Sequence, residues 1–189
     1  MAGIGTMIID GEVLEVSRAV LRGNLLGGEF YWDLVVGARG TIDDDDVEPS
    51  AYSVNLLAWR NRVIARMDDL IGEEIRWDDA YDAASGNTHG GICLYGHKDI
   101  LNSKLKLLKG EDGLRLEWNA IADLDLSDDR ESDEYALSID AALTFEGYVL
   151  HGYGPEKAFS RIREFVTEEE LLPPEPWVND SVLLRPAES

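Results

Sequence analysis

The sequence predicts a mainly β (α+β) fold: an antiparallel meander arranged as a sandwich or a partly open barrel, with one C-terminal amphipathic helix over a sheet face or barrel end. Three observations carry this. Apolar residues recur at period two through much of residues 12–147, as strands with one dry face require. Glycines and acidic runs interrupt that alternation where turns belong. Helical spacing of apolar residues is convincing only after Pro155.

Glu12–Leu21 and Glu29–Val36 read as strands around a turn at Asn24–Gly28, with Phe30, Trp32, Leu34 and Val36 on one face. Tyr52, Val54, Leu56 and Ala58 are in phase and predict a further strand, reached through an acidic loop at Asp43–Asp46. Arg66–Leu70 forms a short turn that Gly72 ends. Ile92–Tyr95 reads as strand. Lys104–Leu107 alternates wet and dry, and Gly110-Glu111-Asp112-Gly113 supplies the next turn.

Leu114, Leu116, Trp118, Ala120, Ala122 and Leu124 share a face, as do Tyr135, Leu137, Ile139, Ala141, Leu143 and Phe145. Residues 114–147 therefore form a long hairpin, and 103–147 a three-stranded meander. A hairpin alone is marginal in water, so its apolar face needs further strands or a helix. Pro155 suits a first helical turn, and Phe159, Ile162, Phe165 and Val166 make one apolar stripe. Thr167 with Glu170 has the spacing of a capping box that would open one more helical turn. Pro173-Pro174 ends any helix, and Val182–Leu184 suits a last edge strand.

The 189 residues fit a single domain, 1–189, that buries roughly 70% of the surface its unfolded chain exposes. The hairpin units 27–59 and 113–147 echo each other: glycine, tryptophan, an acid run, then an alternating segment opened by Tyr52 or Tyr135. That pattern raises an internal duplication. One cysteine, Cys93, forms no intrachain disulfide and suits a reducing compartment. Met1–Ile9 lacks a basic stretch and is followed by Asp10 and Glu12, so no signal peptide is expected. No apolar run approaches the roughly 20 residues that cross a bilayer. A cytoplasmic protein is the expectation.

Charge narrows the partners. The chain holds 38 Asp+Glu against 17 Lys+Arg, a net of -21. Nucleic acid and anionic membrane surfaces would repel it. A basic protein surface or a metal ion would not. A solvated, salt-adapted surface accounts for the same acidity without any partner.

Three constellations could carry chemistry. His89-x3-Cys93-x3-His97 has zinc-ligand residue types. On a strand, however, i and i+4 lie about 13 Å apart, and only a sharp fold at Gly90, Gly91 and Gly96 would bring the three together. Cys93 is expected as a small buried hydrophobe. In the second, Asp123, Asp125, Ser127, Asp129, Glu131 and Glu134 fall at calcium-loop positions 1, 3, 5, 7, 9 and 12. Asp128 replaces the turn glycine, and the flanks alternate as strands, which opposes a helix–loop–helix site; Asp123, Asp125, Asp129 and Glu134 remain the metal candidates. In the third, Asp43, Asp44, Asp45 and Asp46, with Asp128, Asp129, Glu131 and Asp133 of the hairpin tip, suit a docking patch for a cationic partner. Glu117 and Asp140 are two of many carboxylates that could pair as acid and base. No nucleophile-elbow, phosphate-loop, dinucleotide or zinc-protease motif is present.

No cofactor and no catalytic residue are expected. The reading that follows is a non-enzymatic acidic interaction protein, of the inhibitor or immunity type by physical analogy, docking a basic protein through carboxylate-rich loops. The alternative is a small-molecule-binding or hydrolytic β domain with a pocket between sheets. Self-repulsion among the carboxylates loads the folded state at low ionic strength. Raising sodium chloride from about 20 mM to about 500 mM shortens the screening length several-fold, so thermal melts are expected to shift upward; a flat or falling Tm contradicts this.

Overall fold

The computed structural model describes residues 4–42, 44–53, 56–110, 113–124 and 134–187. Its strands are β1 (Gly5–Ile9), β2 (Glu12–Leu26), β3 (Glu29–Ile42), β4 (Asp45–Val47), β5 (Ser50–Ser53), β6 (Glu74–Trp77), β7 (Gly91–Cys93), β8 (His97–Gly110), β9 (Gly113–Asp123), β10 (Glu134–His151), β11 (Glu175–Pro176) and β12 (Ser181–Leu184). One helix, α1 (Pro155–Ile162), and 3₁₀ turns at Leu57–Trp59 and Met67–Leu70 complete the described elements. No helix among the described residues is long and apolar enough to cross a membrane.

The strands form one sheet in the order β1-β2-β3-β5-β7-β8-β9-β10-β12-β11, with β4 on β3 and β6 on β8. Pairing is antiparallel except between β10 and β2. The sheet curls until β10 meets β1 and β2 as well as β9 and β12. This is the partly open barrel form of the expected antiparallel fold, not two stacked sheets. The curled path is thinnest at β7, which pairs with β5 and with β8 at three positions each.

The period-two reading places the core. Trp118 on β9 lies opposite Leu105 on β8 and Ile139 on β10, and Trp118, Leu137 and Ile139 are all buried. β8, β9 and β10 form the expected meander in consecutive order. Gly27 and Gly28, both at positive φ, make the two-residue turn between β2 and β3. That left-handed geometry matches strand twist and favours glycine. Buried residues of every strand except β11 merge into one apolar cluster. Its aromatic centre is Trp32, with Phe30, Trp59, Phe145 and Tyr148 at centroid distances of 5.5–6.3 Å.

Several elements depart from the sequence reading. Of the strand expected over Tyr52–Ala58, β5 holds Tyr52 and Ser53, while Leu57–Trp59 is a 3₁₀ turn whose Trp59 packs on Trp32. Val54 and Asn55 lie outside the described residues. α1 ends at Ile162 and buries Ala158 and Ile162, leaving Phe159 38% exposed. Phe165 lies past the helix and stacks on Phe30 at 5.1 Å. Thr167 and Glu170 open no helical turn. The Thr167 hydroxyl donates to the Ile64 carbonyl, and Val166 bridges Ile64, so tertiary pairing outcompetes the local cap. β12 is flanked by β10 and β11 and is not itself the edge.

Gly23 faces the core opposite Trp32. A Cβ there would lie 2.6 Å from Tyr148 and 2.8 Å from Phe30. Gly37, on the next strand, has nothing nearer than 3.9 Å. Overpacking a core typically costs about 1–3 kcal/mol. Gly23→Ala is therefore expected to lose about 2 kcal/mol in urea unfolding, while Gly37→Ala stays within about 0.5 kcal/mol of the parent; equal losses would contradict the assignment.

Candidate functional site

The register gathers carboxylates along one rim. Asp123 pairs with Glu134 at the base of the hairpin tip. β10 continues past β1 through Leu137 and Ile9, the β1–β2 turn holds Asp10, and Glu12 follows it. Across β2, Glu15 pairs with Arg39 of β3, and Ile42 pairs with Asp45 of β4. Asp10, Glu12, Asp44, Asp45, Asp46, Glu48, Asp123 and Glu134 thus stand at one end of the curled sheet, all exposed. A shallow groove of about 660 Å³ opens beside Asp46 and Glu48, lined also by Glu15, Arg39 and the 63% exposed Val13.

Asp44, Asp45 and Asp46 of the expected docking patch are on this rim. Asp43, Asp125, Asp128, Asp129, Glu131 and Asp133 lie outside the described residues. Of the metal candidates, Asp123 and Glu134 are brought face to face across two strands. Among the described residues, no group of three or more His, Cys, Asp or Glu side chains is placed to hold a metal ion.

Nine arginines are engaged by carboxylates among the described residues: Arg18, Arg22, Arg39, Arg60, Arg62, Arg76, Arg115, Arg161 and Arg185. Arg115 bridges Asp140 and Glu117, which face each other across β10 and β9. That exposed trio is an ion-pair cluster, not an acid and base pair.

His89, Cys93 and His97 do not converge as a triad. Tyr95 and Gly96 take positive φ and fold β7 onto β8, which sets Cys93 Sγ 3.3 Å from His97 Nδ1. Tyr52 reaches the same nitrogen through its hydroxyl, 3.2 Å away. His89 instead stacks on Trp77 at 5.6 Å. Cys93 is half-buried and not the buried hydrophobe its residue type suggests.

One polar cluster had no sequence signal, because its members are up to 157 positions apart. Asn24 Nδ2 donates to Asp33 Oδ2 at 2.9 Å, which leaves Asn24 Oδ1 to accept from His151 Nε2 at 3.2 Å. His151 Nδ1 then accepts from the Ser181 hydroxyl at 3.0 Å. The order resembles a serine–histidine relay, but Ser181 is 3% exposed, which keeps a substrate from its Oγ. The bonds instead fasten β2, β3, β10 and β12 together. Next to them, Arg22 Nε donates to Glu146 at 2.5 Å, with Arg18 beside it. Burial pushes the Glu146 carboxyl up, but the Arg22 bond and charge outweigh it and hold the group below its usual range. Asp33 is left with its Oδ1 buried and without a partner among the described residues. Burial raises its pKa to about 7, against the pull of Arg22 and Asn24. Burial also lowers the His151 pKa.

The end of the sheet opposite the acidic rim holds a cleft of about 750 Å³, half open to solvent. Leu114, Leu143, Phe145, Met67 and Ile71 are its apolar lining. Glu169 lines it and accepts a short hydrogen bond from the Tyr148 hydroxyl. Burial raises the Glu169 pKa above the usual carboxylate range and outweighs that bond. No protein-family model, curated protein or solved structure matches the chain.

Asp33 gives a pH dependence with a definite sign. A carboxyl whose folded pKa is raised contributes stability that is present below its unfolded pKa and lost as pH rises through about 7. Asp33→Asn keeps a neutral side chain at every pH. From about pH 4 to about pH 8 the variant is expected to gain about 3 kcal/mol over the parent in urea unfolding. A gap independent of pH would show that Asp33 does not titrate in this window.

Proposed function

We propose that the protein is a non-enzymatic acidic interaction protein, and that its acidic rim docks a basic protein surface. One observation carries the reading: the strand register sets Asp10, Glu12, Asp44, Asp45, Asp46, Glu48, Asp123 and Glu134 at the same end of the sheet. Among the described residues, Arg39 stands beside this rim and Glu15 engages it. Among the described residues carboxylates outnumber cations on the rim, and Val13 in the adjoining groove offers an apolar anchor. Surface charge of this kind raises association rates and selects the sign of the partner more than it sets affinity. An inhibitor or immunity-type role would use the rim to cover a cationic surface.

The test separates a localised rim from general acidity. A labelled arginine- and lysine-rich peptide of about 15 residues serves as probe, read by fluorescence anisotropy at low and physiological salt. Asp44→Asn/Asp45→Asn/Asp46→Asn is compared with Glu156→Gln/Glu168→Gln/Asp180→Asn, which removes the same charge at exposed positions away from the rim. The rim variant is expected to bind about 10-fold more weakly and the control within about 2-fold of the parent. Equal losses would leave a diffuse anionic surface and defeat the proposal.

A further inference from the structure

We propose that the cleft at the opposite mouth binds a small amphiphilic carboxylate, its apolar body on Leu114, Leu143 and Phe145 and its head at Lys109. The proposal is independent of the acidic rim. Lys109 occupies an inward position of β8: the same face carries Leu105 and Leu107, both fully buried. Register then places it beside Leu114 of β9, which faces Leu143 of β10. A cation on the core face of a strand, at the end of an apolar row, is the arrangement that receives an acid with an apolar tail.

The lining charges are mixed, and the preference for an anion rests on Lys109, the cation at the end of the apolar row. Of the lining carboxylates, Glu146 is engaged by Arg18 and Arg22, and Glu169 by the Tyr148 hydroxyl. Asp68 and Glu170 are exposed. Lys109 makes no ion pair among the described residues; Arg66 also lines the space, and Arg185 there is engaged by Glu175. Leu107 and Leu116 lie fully buried on the same inward face, one position deeper than Lys109 and Leu114, so an occupant lies across the mouth. A volume of about 750 Å³ falls within the range of small-molecule sites, and the mouth of a curled sheet is a common place for one.

The probe is decanoate below its aggregation concentration, titrated by calorimetry and by backbone amide chemical shifts. Saturable binding is expected, with shifts centred on Leu114, Leu143 and Phe145. Decanol and decyltrimethylammonium are each expected to bind at least about 10-fold more weakly. Lys109→Glu is expected to weaken decanoate by about 10-fold or more with Tm unchanged, since the side chain is exposed, and Lys109→Arg to stay within about 3-fold of the parent. Absence of saturable decanoate binding, equal binding of the ammonium analogue, or full affinity in Lys109→Glu would each overturn the proposal.

Discussion

The bend of β10 at Glu146 and Gly147 is the constraint on which the rest of the molecule depends. Up to Leu143 the strand pairs with β9, and over residues 137–141 also with β1; from Thr144 it runs parallel to β2, and from Tyr148 it pairs with β12. The register shifts between Phe145 and Gly147. Gly147 sits at φ +119, and a Cβ there would lie 2.4 Å from the Leu184 carbonyl oxygen. A bulge of this kind bends a strand and re-aims its side chains. Here it sends Glu146 to Arg22 and Arg18, while Phe145 and Tyr148 both reach Trp32. One irregularity thus lets a single strand tie the two ends of the sheet path together.

The polar cluster beyond the bend is a consequence of that closure. Parallel pairing sets Val149 against Asn24, and antiparallel pairing sets His151 against Ser181. Asn24 and Ser181 are each 3% exposed, so their bonds are made where an unmet polar group costs about 1–3 kcal/mol. The exposed ion pairs elsewhere are worth little individually, typically under about 1 kcal/mol. Their larger effect is on the exterior field. With so many guanidinium groups engaged locally, the charge that reaches a partner is carried by carboxylates at the strand ends.

Period-two alternation made the meander and its core face legible, because Trp118, Leu137 and Ile139 sit on strands long enough for the pattern to dominate. It failed where tertiary partners override a short local signal. Leu56 continues the phase begun at Tyr52, yet the chain turns because Trp59 gains Trp32 as a neighbour. Phe159 matches a helical stripe, but the short α1 buries Ala158 and Ile162 instead. Of the site residues, Asp44, Asp45 and Asp46 were visible as a charge run. Their company on one rim was not, since it follows from which strands neighbour which. Asp33, Asn24, His151 and Ser181 are ordinary residues in sequence; the β2–β3 hairpin joins the first two, and β10 beyond its bend brings His151 and Ser181 to them.

The two ends of the sheet behave as separate electrostatic environments. β9 alone carries 11 residues from Gly113 at the cleft to Asp123 at the rim, about 33 Å of extended chain. At physiological ionic strength the screening length is about 8 Å, so rim carboxylates acting through solvent contribute little potential at Lys109. An anion can therefore be received at one mouth of a chain whose net charge is -21. As salt is diluted the screening length grows to about 30 Å at 0.01 M, comparable with the length of the strand, and the rim then opposes anion entry. Affinity for an anion at the cleft should consequently pass through a maximum with salt: long-range repulsion weakens it at the low end, and screening of the Lys109 contact weakens it at the high end.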